Sequence, residues 1–301
     1  MRVGVLLNER GGVEALGKLA DDVRRAVDDG FSSAWMSQIF GLDALTALAV
    51  AGSGVSGIEL GTAVVPTYPR HPAVLAQQAR TTALALRGRF TLGVGLSHQI
   101  VIEEMYGYDF GRPLRHMDEY LSVLAPLLEG ENASFTGETL RGNVGLSVPN
   151  EGRVPLLLAA LGPKMLKLAA ERADGTVLWM TGPGTVREHI VPTITAAAEA
   201  AGRDAPRVVC VLPVCVTGDV ERAREQAGET FEVYGVLPSY RAMMDREGVE
   251  GPKDLAVVGD EDAVAAKLEE LSEAGVTDFV AAEYMPGDRR TREFLKTVTA
   301  K

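Results

Sequence analysis

Residues Arg89–Gln99, RFTLGVGLSHQ, decide the fold. Phe90, Leu92 and Val94 alternate along an apolar run that enters Gly93-Val94-Gly95, and the chain then turns polar at Ser97-His98-Gln99. This pattern predicts a buried strand, Phe90–Leu96, that ends by presenting backbone and a histidine. In parallel α/β proteins ligands bind at the carboxyl ends of strands. One strand therefore implies both an architecture and a site.

Working outward, short apolar, β-branched runs alternate with longer stretches at helical spacing. Strands are predicted at Val3–Leu7, Ala34–Gln38, Ile58–Val65, Phe90–Leu96, Pro155–Ala160, Gly175–Met180, Val208–Thr217 and Asp278–Glu283. Helices are predicted at Glu14–Asp29, Leu42–Ala51, Pro72–Leu86, His116–Leu128, Lys164–Arg172, Val186–Ala201, Glu221–Glu232, Glu261–Ala274 and Arg289–Val298. Eight strands alternating with helices imply parallel crossovers, and eight is the number that closes a barrel. The expected fold class is α/β, a (β/α)8 TIM barrel with insertions after strands 4 and 7, formed by residues 1–301 as a single domain. The two long segments, 97–153 and 218–260, both follow a strand's carboxyl end and belong on the active face. Within the second, Tyr234–Lys253 reads as irregular or partly helical.

The 301 residues are enough for a large core, with 46% hydrophobic and 24% charged residues. A net charge of −11 argues against a broad nucleic-acid or anionic-membrane surface. The first apolar run is too short for a signal peptide and no stretch reaches membrane-span length, so the default location is cytoplasmic. Cys210 and Cys215 lie on one strand with an odd separation, on opposite faces and roughly 16 Å apart, which precludes a disulfide. No metal-ligand spacing is present.

Four strand ends offer chemistry. At Gly95-Leu96-Ser97-His98, the glycines would let a flat ring approach the backbone, and His98 is available for proton transfer near neutral pH. The alternative is a loop histidine that caps backbone groups. At Ala160-Leu161-Gly162-Pro163-Lys164, a strand turns into a helix whose free amides, positive dipole end and lysine form a ready phosphate site; the alternative is a plain turn. Thr62-Ala63-Val64 ends strand three, and Ser37-Gln38 ends strand two, with Trp35 in the core. Of the other histidines, His71 reads as structural, His116 as lying on a solvated helix face and His189 as exposed.

Taken together these pieces resemble the luciferase-like monooxygenase superfamily, and within it the coenzyme F420-dependent oxidoreductases. The resemblance rests on Gly61-Thr62-Ala63-Val64, Arg70-His71-Pro72, Gly88-Arg89-Phe90-Thr91-Leu92-Gly93-Val94-Gly95, Ala159-Ala160-Leu161-Gly162-Pro163, Ala173-Asp174-Gly175 and Gly275-Val276-Thr277-Asp278, in that order along nearly the whole chain. It implies a deazaflavin across the barrel mouth, a cis peptide at Ala63–Val64, phosphate at Leu161–Lys164 and ring contacts from Leu96, Ser97 and His98. It also implies hydride transfer between the deazaflavin C5 and a small organic substrate, and a homodimer. An FMN-dependent monooxygenase and a non-catalytic F420-binding protein are the alternatives. The family's sugar-phosphate dehydrogenases carry Asp-His after the strand-two serine, where this chain has Gln38-Ile39, and an acidic residue where it has His98. Glucose 6-phosphate oxidation is therefore disfavoured.

Overall fold

In a computed structural model that describes residues 1–8, 12–149 and 152–299, the eight predicted strands close into a parallel barrel. They are β1 (Arg2–Leu7), β2 (Ser33–Met36), β3 (Glu59–Thr62), β4 (Phe90–Gly95), β5 (Leu156–Ala159), β6 (Gly175–Trp179), β7 (Arg207–Val216) and β8 (Asp278–Glu283). Each pairs with its sequence neighbour, and β8 pairs with β1 in the register Arg2↔Asp278 to Val5↔Ala281, which leaves no open edge.

Both faces of every strand are covered, which is why the strands are nearly continuous apolar runs. Side chains alternate between two cores. Trp35, Leu157, Val177, Val209, Val211, Val280 and Ala282 fill the barrel interior. Cys210, Leu212 and Val214 of β7 point outward into the larger layer between strands and helices. Both cysteines are free thiols, as their spacing requires. Gly61 sits where a Cβ would come within 2.4 Å of the Trp35 ring, so the indole fills the interior only because its neighbour lacks a side chain.

The helices form the outer ring: α1 (Ala15–Asp28), α2 (Ala44–Gly52), α3 (Pro72–Ala85), α4 (Pro113–Glu129), α5 (Pro163–Arg172), α6 (Val191–Ala200), α7 (Val220–Thr230), α8 (Pro238–Glu247), α9 (Glu261–Glu273) and α10 (Arg290–Thr299). Asp43 and Asp260 cap α2 and α9 by accepting from the backbone N–H three residues on. His71 caps α3 through its ring nitrogen and so is structural, as expected.

Three boundaries differ from the sequence reading. The third strand does not run unbroken to Val65: β3 stops at Thr62, and only Val65–Pro66 rejoins β4. A π-helical turn, Val186–Ile190, precedes α6. The segment after β7 holds a regular helix, α8, started by Pro238 and closed by left-handed Gly248. The insertion after β4 contains α4 and an antiparallel hairpin, Ala133–Thr136 with Arg141–Val144. Glu119 of α4 fastens that hairpin, accepting from the backbone N–H groups of Glu138, Thr139 and Leu140.

The amino-terminal end of the barrel is closed by charge. Arg207 Nη1 lies 2.9 Å from Glu59 Oε1 and its Nη2 lies 2.8 Å from Asp278 Oδ1. Arg2 reaches the same two carboxylates at 2.6 and 3.3 Å. A depression of about 410 Å³ lined by Arg2, Glu59, Arg89 and Arg207 opens at this end, remote from the strand tips that carry the site. No described helix is long and apolar enough to cross a membrane.

Candidate active site

At the carboxyl end of the barrel the interior core is roofed by Leu6, Ala63, Val64 and Trp179, which are partly exposed. The Ala63–Val64 peptide is cis, at the position the resemblance implies. Val64 crosses to β4, and Ala159 of β5 closes on the same point, so that Val64, Gly95 and Ala159 meet. The result is a small-residue, apolar floor across the barrel mouth.

The glycines of β4 serve this floor differently from the sequence expectation. A Cβ on Gly93 would lie 2.0 Å from the Thr62 carbonyl oxygen, and one on Gly95 would lie 2.7 Å from Val64 Cγ2. They clear space for the neighbouring chain, not for a ring laid directly on β4. Gly95 is buried beneath Val64, so a ring on the floor does not reach it directly as expected. Nor does one reach Thr62, which is fully buried, donates to the Gly93 carbonyl at 2.8 Å and accepts from the Gly93 N–H at 2.9 Å. Gln38 is a helix cap, its Oε1 accepting from Ala44 N–H at 3.1 Å, while Ser37 stays half-buried at the tip of β2.

Leu96, Ser97 and His98 are half-buried at the tip of β4. Ser97 takes a left-handed backbone (φ 63°), which turns the chain so that the His98 carbonyl accepts from Val101 and Ile102 at the start of the insertion. The imidazole faces Tyr240, with ring centroids 5.6 Å apart. Burial lowers its pKa below the usual histidine value, so it is neutral at pH 7.

After β5, Ala160 is buried and its carbonyl accepts from Thr176 Oγ1, while Leu161 is half-exposed. The Leu161 carbonyl lies 2.8 Å from His189 Nε2, which makes His189 a tether for this loop and not an exposed residue. Gly162, Pro163 and Lys164 open α5 at the surface, and no side chain caps this helix. A second helical start on this face, Pro183–Thr185 after β6, is already filled: the Glu247 carboxylate accepts from Gly184 N–H at 3.0 Å and Thr185 N–H at 2.6 Å. Of these two amide sites, only the one at Gly162–Lys164 is open to an added anion.

Sequence reasoning missed the aromatic wall. Trp179 ends β6, and Phe231, Tyr234 and Tyr240 come from the segment after β7. Centroid separations are 5.4 Å for Trp179–Phe231, 5.5 Å for Trp179–Tyr234 and 5.2 Å for Tyr234–Tyr240. Tyr284, after β8, extends the chain through Phe231 at 5.8 Å. Mostly edge-to-face geometry locks the rings together. The signal available beforehand was an aromatic-rich stretch inside an insertion expected on this face. His116 was also misread as solvated. Its ring stacks on Tyr68 at 3.8 Å and its Nε2 lies 3.0 Å from Thr67 Oγ1.

The family model for luciferase-like monooxygenases matches residues 1–278. The chain is 26% identical over 293 residues to a 5,10-methylenetetrahydromethanopterin reductase of Methanolobus tindarius, covering 88% of this chain and 89% of the relative. The fold matches the coenzyme F420-dependent tetrahydromethanopterin reductase of Methanopyrus kandleri with a TM-score of 0.82 at 23% identity, covering 99% and 97% of the two chains. An F420-dependent secondary alcohol dehydrogenase superposes with a TM-score of 0.81 at 21% identity, covering 99% and 97%.

Proposed function

The chain belongs to the luciferase-like monooxygenase family, and from that premise we propose that it is an F420-dependent oxidoreductase. The observation that carries this reading is the pairing of an apolar floor at Ala63–Val64 with an uncapped, lysine-bearing helix start, Gly162–Lys164, on the same face. The floor suits a flat, uncharged ring face. Free amides and Lys164 suit a phosphate on the cofactor's tail, contacted also by Ala160, Leu161, Gly162 and Pro163. The relatives named for F420 support the same cofactor.

When bound, the deazaflavin supplies or accepts a hydride at C5. The protein's own contribution is then to hold both reactants in register and exclude water. Leu96 and Ser97 position the tip that carries His98. Because burial keeps that imidazole neutral, it accepts the proton of a substrate hydroxyl in the oxidative direction. In reduction the ring relays to oxygen a proton that it takes up from solvent. The small-molecule substrate lies beneath the two insertions, and the active species is a homodimer in this reading.

Titration of the pure protein with F420 and with FMN, followed by fluorescence, tests the assignment. F420 is expected to bind and FMN to bind at least tenfold more weakly, with Lys164→Ala weakening F420 alone. Preferential binding of FMN refutes the reading in favour of a flavin monooxygenase. His98→Ala with unchanged kcat and kcat/KM removes His98 from the chemistry. Tight F420 binding without hydride transfer to any of a broad substrate panel identifies a carrier instead.

A further inference from the structure

We infer that the wall of Trp179, Tyr234 and Tyr240 selects a flat, uncharged, ring-bearing carbonyl compound, bound between that wall and the cofactor ring that lies on the Ala63–Val64 floor, with its oxygen at His98. This rests on the function proposed above and adds the substrate class. The rings form one connected surface from His98 through Tyr240 and Tyr234 to Trp179. All of these side chains are partly exposed at the mouth.

Two charges of the same segment are turned elsewhere. Arg241 is occupied by Asp245 and by the carbonyls of Val249 and Glu250. Glu247 is held by the amides of Gly184 and Thr185. Burial keeps both Tyr234 and Tyr240 in their neutral phenol forms. The wall therefore offers aromatic faces, and neither Arg241 nor Glu247 is left free beside them. A flat ring is held by stacking on such a surface, whereas a buried anion without a countercharge is expelled.

The chemistry balances as a two-electron reduction. A hydride from the reduced deazaflavin forms the new C–H bond at the carbonyl carbon. The C=O π pair moves to oxygen, which takes a proton that His98 picks up from solvent and passes on, leaving the ring neutral again. The product is the alcohol, and the deazaflavin leaves oxidised by the same two electrons.

Calorimetric titration of 2-acetonaphthone into protein saturated with F420 tests the inference. Saturable binding is expected, weakened about tenfold by Tyr240→Leu and kept within twofold by Tyr240→Phe, which retains the ring and shows that the fold survives. Glucose 6-phosphate is expected not to compete. Binding that disappears when F420 is present assigns the wall to the cofactor and overturns the inference. So does a Tyr240→Leu effect below twofold, or displacement by glucose 6-phosphate. Absence of F420 binding in a separate titration would instead fail the preceding proposal while leaving the naphthyl affinity measurable.

Discussion

Replacing Arg207 by Ala removes the cation that bridges two carboxylates at the closed end of the barrel. Two of its contacts are well formed, at 2.9 and 2.8 Å, and two are long, at 3.3 and 3.4 Å. Charge-assisted hydrogen bonds contribute about 1.5–3 kcal/mol each, so the two short ones set a gross loss of about 3–6 kcal/mol. Part is recovered, because Arg2 stays near both carboxylates, Thr91 donates to Glu59 and Thr277 donates to Asp278. The net expectation is about 3 kcal/mol, in the range seen when one partner of a buried pair is deleted. With a urea slope of about 3 kcal/mol/M, the unfolding midpoint followed by circular dichroism falls by about 1 M. Arg207→Lys, which keeps the charge but loses the planar fork, is expected to fall about half as far. F420 affinity is expected to be unchanged, because the network and the mouth lie at opposite ends. A midpoint shift below about 0.2 M, or a loss of cofactor binding without a loss of stability, would refute the reasoning.

Two further outcomes are open to direct measurement. Burial against Tyr68 drives the His116 pKa down to about 4 from an ordinary 6.5, so the unfolded chain takes up this proton first. The stability held by the neutral ring is present above about pH 6.5 and declines as pH falls toward 4; His116→Gln should flatten that limb of a pH–stability curve. Glu247→Ala leaves the Gly184 and Thr185 amides without their carboxylate, at a cost of about 1–2 kcal/mol for a lost cap. Its signature is faster hydrogen exchange across α8, with little change in the barrel strands.

The barrel itself was legible because parallel strands covered on both faces must be apolar runs, and helices on one side of a sheet must repeat at their own period. β1, β4, β7 and β8 were located to within a residue or two on that basis alone. The break after Thr62 was not visible to pattern reasoning, since Ala63-Val64-Val65 is as apolar as any strand. The site was legible as a set of strand ends: Ala63–Val64, Leu96–His98 and Ala160–Lys164 do share one face. What those residues do there was not. Gly93, Gly95 and Thr62 meet each other's strands, and such contacts depend on register, which no single segment encodes. The aromatic wall escaped for a related reason, because Trp179 and Tyr240 are 61 positions apart and meet only through Tyr234.

The placement of Glu247 also decides which amides an incoming anion can reach. The backbone N–H groups of Gly184 and Thr185 are saturated by a carboxylate of the protein itself. A negatively charged group arriving at that turn meets like charge and no free donor, whereas at Gly162–Lys164 no side chain caps the helix. A single glutamate, far along the chain from both turns, thereby makes two outwardly similar turns unequal toward anions.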